Sequence, residues 1–515
     1  MTDNSRNWIS FDGKKYPLKN GDTALDAMLR GGAGLQFSCR KGSCRSCMLE
    51  MTSGEVGEEA QSRLSPEMRE QNLFLPCVTR TATEVVARKP DASKWTIKAV
   101  VAEKNQLSAD VWQVLLEPLT SMEWRAGQFV NLTGPNGEIR SYSLASIPEV
   151  DYFAELHIRH YTDGKVSNWV AETLMPGDEV DIQGAIGTCY YDSEMAGKPL
   201  LLIGVGTGAG PMIGVSRDAL RRGHTAPISF FHGAASEKNL YLTEQLAAIA
   251  AEYPNFEFQS AASQDGTKER VVDLAFDKHT DLRDHVLFLA GSPDVIEAAR
   301  VKSVAQGIAL NAIHADPFET SELYMPRDLQ KIRDIKPDPE LWAALGEGVL
   351  LKQILDDFYD RVFEDPRLLP FFHKVTKERV AGKQYEFLVG LLTGRKSSFV
   401  EPPFNSHHWM VISDELFDHR ENLFFECARA YDIPDHLIAR WASIDEIFRR
   451  EMVKSAERGQ VHNGIEYDLN GYTDETLGMD GMCDGCFSEI LEGSHVRMHQ
   501  RTGEMYCDAC EAESA

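Results

Sequence analysis

Eight of the ten cysteines in this sequence fall into two tight groups, the arrangement expected of metal ligands. The first group is Cys39, Cys44, Cys47 and Cys77, and the second is Cys483, Cys486, Cys507 and Cys510. In a reducing compartment, clustered cysteines bind metal more often than they form disulfides. Cys189 and Cys427 lie among apolar or aromatic neighbours, and we expect both to be inert thiols. The sequence therefore predicts two separate thiolate metal centres.

The spacing of the first group resembles that of a plant-type 2Fe-2S ferredoxin. Three thiolates share one loop and a distant fourth closes the cage, while Gly42 and Ser43 let the backbone wrap closely around a cluster. A zinc site, the alternative, favours paired Cys-x2-Cys knuckles. The flanks WISFDGKKYPL and TEVVARK predict strands framing a helix over 23–30, a ferredoxin-like β-grasp unit over 1–94. The loop is also basic, which predicts either a solvated face or a docking surface, through Arg40, Lys41 and Arg45.

The second group consists of two Cys-x2-Cys pairs separated by twenty residues, a pattern typical of a four-thiolate zinc knuckle. Tetrahedral sulfur also suits rubredoxin-type iron, which stays the alternative. We do not expect His495 and His499 to be ligands. The tail over 471–515 carries ten acidic and two basic residues, which disfavours DNA binding. We predict a small zinc-ribbon-like unit that docks a protein partner or stabilises the chain.

Between the two cysteine groups, alternating strands begin at about Trp95 and predict a small antiparallel barrel over 95–196. One of its strands reads Arg140-Ser-Tyr-Ser, a motif that resembles the ferredoxin-NADP reductase-like superfamily. The resemblance implies that Arg140 reaches the diphosphate of FAD, that Tyr142 lies against the isoalloxazine, and that Ser143 lies near its reactive nitrogen. Ala185 departs from the family, where a proline is more usual.

Two further stretches match the phosphate-binding parts of the same superfamily. Gly164 and Ser167 fit the start of a helix whose free N–H groups bind an anion. The run LLLIGVGTGAGPM predicts a buried parallel strand entering a phosphate-binding turn. The resemblance implies a nicotinamide-binding α/β unit over 197–322 that uses Gly204, Gly206, Thr207, Gly208, Pro211 and Gly291. Gly291 stands in Ala-Gly-Ser, where the family often has Cys-Gly-Pro.

NADH is the predicted reductant, because no arginine for a 2′-phosphate follows the second strand of this unit. Ala235, Ser236 and Glu237 stand there, and Glu237 would repel a phosphate, whereas Lys238 would attract one. Residues 1 to about 320 thus resemble the reductase component of aromatic-ring dioxygenases. A polar linker with two prolines follows over 323–340, and we expect domain motion across it.

Apolar residues recur at helical spacing from Leu351 to Val362, which predicts a helix with one apolar face there. The resemblance described next implies an all-helical unit over 341–460. The stretch from Phe358 to His407 resembles the haem pocket of a group I truncated haemoglobin, a two-over-two globin that binds haem b. The resemblance implies His407 as the iron ligand, with His408 as the alternative. It further implies distal donors, an apolar entry and an aromatic haem contact, which are Tyr359 and Gln384, Val380, and Phe372.

Composition limits the class of partner. The net charge is −26, from 79 acidic and 53 basic residues, which argues against nucleic acid and anionic membranes. The N-terminal stretch has no apolar core of the kind a signal peptide needs, so we expect a cytoplasmic protein. The expected partners are NADH, O2 and NO, with a possible protein partner for the tail.

Together these motifs predict a multidomain oxidoreductase in which NADH, FAD and a 2Fe-2S cluster deliver electrons to a globin haem. The predicted reaction is the conversion of NO and O2 to nitrate, which requires re-reduction of the haem in each cycle. Two alternatives stay open. The globin could be a sensor of O2 or NO that gates the reductase, or the reductase could donate electrons to a separate oxygenase.

Overall fold

The computed structural model of this chain consists of five consecutive units, with a connecting segment between the third and the fourth. The structure describes residues 8–18, 23–37, 39–79, 82–91, 95–265, 270–319, 324–372, 375–395, 402–454, 458–462, 464–467, 472–477, 481–483, 486, 488–499 and 505–511. Among these residues, no helix has both the length and the apolar character needed to cross a membrane.

The first unit is a five-stranded mixed sheet with helices packed beside it. Its elements are β1 (Trp8–Phe11), β2 (Lys14–Pro17), α1 (Ala24–Arg30), β3 (Leu49–Val56), α2 (Pro66–Glu70), β4 (Leu73–Phe74) and β5 (Ala82–Arg88). The strand order is β2-β1-β5-β3-β4, with β1 parallel to β5. Helix α1 begins where predicted because Thr23 and Asp26 each accept a hydrogen bond from the other's backbone N–H. Asp26 also pairs with Arg40, at 2.9 Å, which fastens the cysteine loop to this helix.

The second unit is an antiparallel six-stranded barrel, as the alternating pattern predicts. Its elements are β6 (Ile97–Gln106), β7 (Val111–Pro118), β8 (Phe129–Thr133), β9 (Ile139–Ser143), α3 (Pro148–Asp151), β10 (Ala154–Arg159), α4 (Lys165–Glu172) and β11 (Glu179–Ile186). The strand order is β10-β7-β6-β11-β8-β9, and a bridge between Leu144 and Leu156 joins the two ends. Inward-facing aliphatic residues fill the barrel.

The third unit is a parallel five-stranded sheet with helices on its faces. Its elements are β12 (Leu200–Val205), α5 (Ala209–Arg221), β13 (Ile228–Ala234), α6 (Thr243–Glu252), β14 (Phe256–Ala262), α7 (Val271–Lys278), β15 (Val286–Gly291), α8 (Pro293–Ala305) and β16 (Ile313–Pro317). The strand order is β14-β13-β12-β15-β16. The apolar run at 200–204 is fully buried, as expected of a central parallel strand.

The fourth unit is helical, and a further helix precedes it within the connecting segment. The helices are α9 (Asp328–Asp334) in that segment, then α10 (Pro339–Ala344), α11 (Val349–Glu364), α12 (Lys377–Thr393), α13 (Pro403–His407), α14 (Asp414–Ala430), α15 (Asp435–Ile447) and α16 (Arg449–Met452). Helix α11 ends directly before Asp365-Pro366, because proline disfavours a helical conformation of the preceding residue. The sequence suggests one helix beyond 435, but the structure divides it at Phe448, whose buried ring packs in the helical core.

The tail consists of short strands that form small sheets. They are β17 (Gln460–His462), β18 (Ile465–Tyr467), β19 (Tyr472–Thr476), β20 (Gly481–Met482), β21 (Glu489–Ile490), β22 (His495–His499) and β23 (Met505–Cys507), followed by α17 (Asp508–Glu511). Strands β17 and β18 pair as an antiparallel hairpin directly after the helical unit. The fold is therefore multidomain, with β-rich units first and helices towards the C-terminus, as predicted.

The third and fourth units are packed directly against each other. Helix α8 lies along α15, and one continuous apolar cluster includes Ile296 and Ala299 of α8 with Ile438 and Trp441 of α15. Around it, Arg300 Nε donates to Glu446 Oε1 at 2.6 Å.

The connecting segment is docked onto both of these units rather than extended. From α9, the Lys331 ammonium lies 2.8 Å from Glu297 of α8 and 2.7 Å from Glu451 of α16. Helix α9 is thus paired with both the third and the fourth unit. The domain motion expected across this polar stretch would have to break these ion pairs.

Candidate functional site

The helical unit contains a cavity of about 380 Å3, a size within the usual range of roughly 300–1,000 Å3 for cofactor pockets. Helices α11, α12, α13 and α14 enclose it, and most of its wall is aromatic or aliphatic. The structure brings together here all the predicted haem-pocket residues, which are Tyr359, Phe372, Val380, Gln384 and His407. They come from four separate segments, so the cavity depends on the packing of the whole unit.

Two polar side chains meet inside this cavity. Tyr359 on α11 donates its hydroxyl hydrogen to Gln384 Oε1 on α12, at 2.6 Å. Burial raises the pKa of Tyr359, so its hydroxyl keeps the proton that a hydrogen-bond donor needs. The ring of Phe372 meets that of Tyr359 edge-on, at 6.0 Å between centroids. Val380 lies one turn before Gln384 and adds an apolar surface to the same wall.

The two adjacent histidines point in different directions. His407 lines the cavity, and its Nδ1–H donates to the carbonyl oxygen of Pro403 at 2.8 Å, which leaves Nε2 for a metal. Burial lowers the pKa of His407 to about 4, so the imidazole is neutral, the form that binds iron. His408 is buried outside the cavity wall, and its Nδ1 lies 2.9 Å from the carbonyl oxygen of Arg458.

The residues around the cavity fit a haem. A neutral imidazole, aromatic walls and two distal donors are the groups that bind a haem and its gaseous ligand. Arg379 and Lys383 are exposed at the edge of the same cavity, and two cations suit the two carboxylates of haem b. The cavity is thus mostly apolar with two cations at its edge, a composition that would suit a porphyrin and its two acids.

Besides Arg379 and Lys383, three charged residues that contact one another lie in the cavity wall and are not among the predicted site residues. Arg420 and Glu421 of α14 lie beside Asp445 of α15, with the Arg420 guanidinium in contact with both carboxylates. Burial, together with the charge of Asp445, raises the pKa of Glu421 to about 8, although the Arg420 guanidinium acts in the opposite direction. Their helical spacing from Phe417 and Phe424 is the signal that could have revealed them, since it puts both on the apolar face of α14.

The four cysteines of the first group lie in and beside the loop before β3. Within the loop, the N–H groups of Lys41 and Cys44 each donate to Cys39 Sγ at 3.3 Å. Neighbouring thiols, together with burial, raise the pKa of Cys44 and of Cys77. Four thiolates can ionise together only where bound cations share their charge, so this donor set fits a metal cluster.

The cysteine loop contacts both the second unit, the predicted flavin barrel, and the third unit, the predicted nicotinamide unit. Asn131 of β8 is buried and donates its amide hydrogen to the carbonyl oxygen of Cys44 at 2.6 Å. Lys41 lies 2.5 Å from Glu319, directly after the third unit's last strand. The basic loop predicted either as a solvated face or as a docking surface thus makes an ion pair within the chain.

The predicted flavin residues lie along β9 and at the start of α4. Arg140, Tyr142 and Ser143 lie on β9, and Ser143 Oγ donates to the half-buried Asp316 at 2.6 Å. Burial raises the pKa of Asp316 to about 6. An ion pair of 3.2 Å between Lys165 and Glu138 brings the start of α4 next to the start of β9.

At the start of α4, Gly164 and Ser167 are packed against each other. A Cβ atom at Gly164 would lie 2.2 Å from Ser167 Oγ, so any larger residue there would force the Ser167 hydroxyl to move. The Ser167 hydroxyl itself accepts a hydrogen bond from the backbone N–H of Tyr161 at 3.2 Å.

The predicted nicotinamide residues gather at the carboxyl ends of β12 and β15, the usual ligand edge of a parallel sheet. Gly206, Thr207 and Gly208 form a 3-10 turn between β12 and α5, and Pro211 lies in the first turn of α5. A Cβ atom at Gly208 would lie 2.2 Å from the carbonyl oxygen of Ala290. The remaining residues, Gly204 and Gly291, lie near the ends of β12 and β15.

The tail brings its four cysteines together. The sulfur atoms of Cys483, Cys486, Cys507 and Cys510 all lie within 4.8 Å of one another. The Cys486 and Cys507 sulfurs are 3.7 Å apart, close to the edge of about 3.8 Å for a tetrahedron with metal–sulfur bonds of about 2.3 Å. His495 Nδ1 instead lies 2.9 Å from Asp508 Oδ1.

Four family matches cover most of this architecture. Residues 9–82 match the 2Fe-2S iron-sulfur cluster binding domain, and residues 98–191 match the oxidoreductase FAD-binding domain. Residues 202–301 match the oxidoreductase NAD-binding domain, and residues 340–419 match the bacterial-like globin.

Known reductases align with the first three units. The reductase subunit of an aromatic O-demethylase from Amycolatopsis sp. is 34% identical over 326 residues, which are 60% of this chain and 98% of that subunit. The ferredoxin–NAD(P)+ reductase component of naphthalene 1,2-dioxygenase/salicylate 5-hydroxylase systems from Ralstonia sp. is 28% identical, over 59% of this chain and 95% of its own. A crystal structure of an Amycolatopsis cytochrome P450 reductase is 30% identical and covers 61% of this chain and 98% of its own, with a TM-score of 0.45.

These matches confirm the resemblances drawn from the cysteine spacing, the flavin and nicotinamide motifs and the haem-pocket residues. NAD(P)H-driven electron transfer through FAD and a 2Fe-2S cluster is the activity that the first three units support. The chain belongs to the family of oxidoreductases that join a 2Fe-2S ferredoxin domain to FAD- and NAD-binding domains, and it carries a bacterial-like globin on the same polypeptide.

Proposed function

We propose that this protein is an NADH-driven nitric oxide dioxygenase in which the reductase units keep the globin haem ferrous. In the overall reaction, two NO, two O2 and one NADH give two nitrate ions, one NAD+ and one proton. The observation that carries the proposal is the hydrogen-bonded pair of Tyr359 and Gln384 in the cavity that His407 also lines. Each nitrate formed consumes one electron, which a reductase on the same chain can deliver without a second protein.

The cavity residues have separate tasks in this reaction. His407 Nε2 would hold a haem, and the ferrous haem would supply the iron chemistry that combines O2 with NO. Tyr359 supplies a hydroxyl donor and holds Gln384 Oε1, so the amide Nε2 of Gln384 is the donor directed towards oxygen. Val380 keeps part of the wall apolar, which suits the entry of a neutral diatomic molecule.

The position of the cysteine loop supports an electron route through the cluster. The loop touches the flavin barrel through the hydrogen bond from Asn131 to Cys44. It also lies near the globin, because the charges of Lys41 and Arg63 add to that of Arg449 in lowering the pKa of Asp414, at the start of α14. A one-electron carrier in this loop would thus stand between the flavin unit and the wall of the haem cavity.

NADH is the proposed reductant, and the charges after β13 support it. The backbone N–H of Glu237 donates to Asp265 Oδ1 at 2.8 Å, which places a second acidic residue beside Glu237 after β13. Two carboxylates repel a 2′-phosphate, whereas a carboxylate can accept hydrogen bonds from a 2′-hydroxyl.

Zinc is the metal we propose for the four thiols of the tail. The group is tetrahedral in its spacing and uses sulfur alone, which is typical of structural zinc. Rubredoxin-type iron has the same ligands, so metal analysis of the purified chain distinguishes the two.

The reaction is tested with the purified full-length protein and no other protein present. NADH consumption should require both NO and O2, and nitrate should form at two per NADH oxidised. The variant Gln384→Leu should lower this rate while NADH still reduces the flavin and the cluster. Steady NADH oxidation that does not depend on NO would contradict the proposal.

A second function is favoured by the reductase alignment. The matched subunits of the aromatic O-demethylase and of the naphthalene dioxygenase/salicylate hydroxylase systems are reductase parts of those systems, and this chain covers nearly their whole length. In that case the cluster would reduce a separate oxygenase, and the globin would sense O2 or NO. Rapid flavin and cluster reduction together with slow haem reduction would favour this function.

A further inference from the structure

The helix that carries His407 is held from outside the globin. Helix α13 has only five residues, which is too short to be stable by itself. It begins at Pro402-Pro403, and prolines have no N–H to donate, so the first N–H that needs an acceptor belongs to Phe404. The position of the proximal helix therefore depends on what binds this N–H and what touches the helix sides.

Asp328 of the connecting segment supplies that acceptor. Its Oδ2 accepts the N–H of Phe404 at 2.8 Å, across 76 residues of sequence. The carboxyl group is in a buried position, with only 5% of the residue exposed. A negative charge there also interacts favourably with the positive N-terminal end of the helix dipole. An aspartate from the reductase side thus replaces the N-terminal cap that α13 lacks.

The other side of α13 is held by the hairpin that follows the globin. The side chain of Asn405 donates to the carbonyl oxygen of Val461 at 3.1 Å and accepts from the N–H of Val461 at 2.8 Å. His408, adjacent to His407, contacts the carbonyl oxygen of Arg458 in the same stretch. Helix α13 is thus clamped between α9 and β17.

The α9 side of the clamp is fixed to the reductase. Lys331, one turn after Asp328, binds Glu297 of the nicotinamide unit and Glu451 of the globin. Any shift of α8 against the globin would therefore move α9, and with it the acceptor for Phe404.

We infer that Asp328 and Asn405 are positioning residues for the proximal histidine, so that docking of the reductase sets the bond between His407 and the haem iron. This inference rests on the proposed role of His407. It goes beyond that role because it makes the iron–histidine bond depend on two segments outside the globin.

The test compares Asp328→Ala, Asp328→Asn and Asp334→Ala in the full-length protein. Asp334 lies on the same helix, is exposed, and accepts a hydrogen bond from Gln330. Asp334→Ala is therefore the control, because it removes one negative charge from α9 without touching α13. Resonance Raman spectroscopy of the ferrous protein gives the iron–histidine stretching frequency, and transfer of haem to apomyoglobin gives its rate of loss. Asp328→Ala should shift the stretching band and accelerate haem loss by about tenfold or more, as expected for a lost hydrogen bond to a charged acceptor.

Asp328→Asn keeps an oxygen acceptor but not the charge, so it should shift the band in the same direction by less. If Asp328→Ala does not fold, the same measurements are made on Asp328→Asn alone. A band and a haem-loss rate equal to those of Asp334→Ala in both variants would overturn the inference. A wild-type protein with no iron–histidine band, or one whose band persists in His407→Ala, would overturn the role of His407 together with the inference. Absence of nitrate formation alone would overturn only the proposed reaction.

Discussion

The hydrogen bond between Tyr359 and Gln384 predicts how the cavity holds oxygen. Tyr359→Phe removes the hydroxyl donor and leaves Gln384 Oε1 without this partner. In the proposed site Gln384 Nε2 is the donor to oxygen, and without Tyr359 its amide is no longer held in place. A hydrogen bond to a strongly polarised group contributes about 1.5–3 kcal/mol, so weakening it should make oxygen dissociate roughly ten to a hundred times faster. The measurement is the dissociation rate of oxygen from the ferrous protein by stopped-flow spectroscopy. An unchanged rate would mean that Tyr359 does not hold the donor to bound oxygen in place.

The two histidines give a second prediction at this scale. His407→Ala should abolish or severely weaken haem binding, because only His407 lines the cavity. His408→Ala should keep a five-coordinate ferrous spectrum, since its ring is turned to the backbone of Arg458. Haem content and absorbance of the two purified variants decide this, with flavin and cluster absorbance as the internal control. If His408→Ala loses haem and His407→Ala keeps it, the assignment of residues to the haem pocket is wrong by one position.

The packing of α14 against α15 predicts a pH dependence of stability. The folded protein raises the pKa of Glu421 from 4.5 to about 8, so it holds a proton that the unfolded chain releases between these values. The free energy of unfolding should therefore fall as pH rises through this window, by up to about 1.4 kcal/mol per pH unit from this group. Glu421→Gln cannot titrate and should show a flatter profile in denaturant unfolding at pH 5 to 9.

Glu415→Gln is the matched control for this experiment. Glu415 lies on the same helix but is exposed, with its side chain 82% accessible, so its replacement should leave the wild-type slope unchanged. Equal slopes for wild type and Glu421→Gln would show that Glu421 is not the titrating group.

The extent to which the sequence predicts the buried residues of the helical unit differs from helix to helix. The apolar stripe of α11 is predictable because Leu351, Ile354 and Phe358 recur at helical spacing. On α14, Arg420 and Glu421 have helical spacing from Phe417 and Phe424, but a pattern that counts only apolar residues leaves them out, although both line the cavity. The contact from Asp328 to Phe404 is beyond such patterns, because it joins residues 76 positions apart that meet only after the units have docked.

At the scale of the whole molecule, the cluster is predicted to be an obligatory relay. Cys44→Ser should leave reduction of the flavin by NADH nearly unchanged while slowing haem reduction by at least about tenfold, since a thiolate ligand is lost but the backbone contact to Asn131 stays. Stopped-flow absorbance resolves the two steps, and Cys189→Ala serves as a control outside both cysteine groups. Unchanged haem reduction would mean that electrons reach the haem directly from the flavin.

Removal of metal from the tail is the second prediction at this scale. Cys486→Ser should lose one zinc ion per chain and keep the iron and flavin content, because its thiol is one of the four gathered in the tail. His495→Ala should keep the zinc, since its ring pairs with Asp508. Elemental analysis of the purified variants measures both. Iron in place of zinc in the wild-type tail would identify a rubredoxin-type centre instead.

The apolar cluster shared by α8 and α15 affects whether the reductase units and the globin can be produced as separate proteins. Ile296 and Ala299 lie in one buried cluster with Ile438 and Trp441, so neither unit has a water-compatible surface at this face. A gene fragment encoding the reductase alone would expose that face and should aggregate or need a solubilising substitution on α8. Calorimetry of the intact chain should likewise register the nicotinamide unit and the globin in one endotherm rather than two.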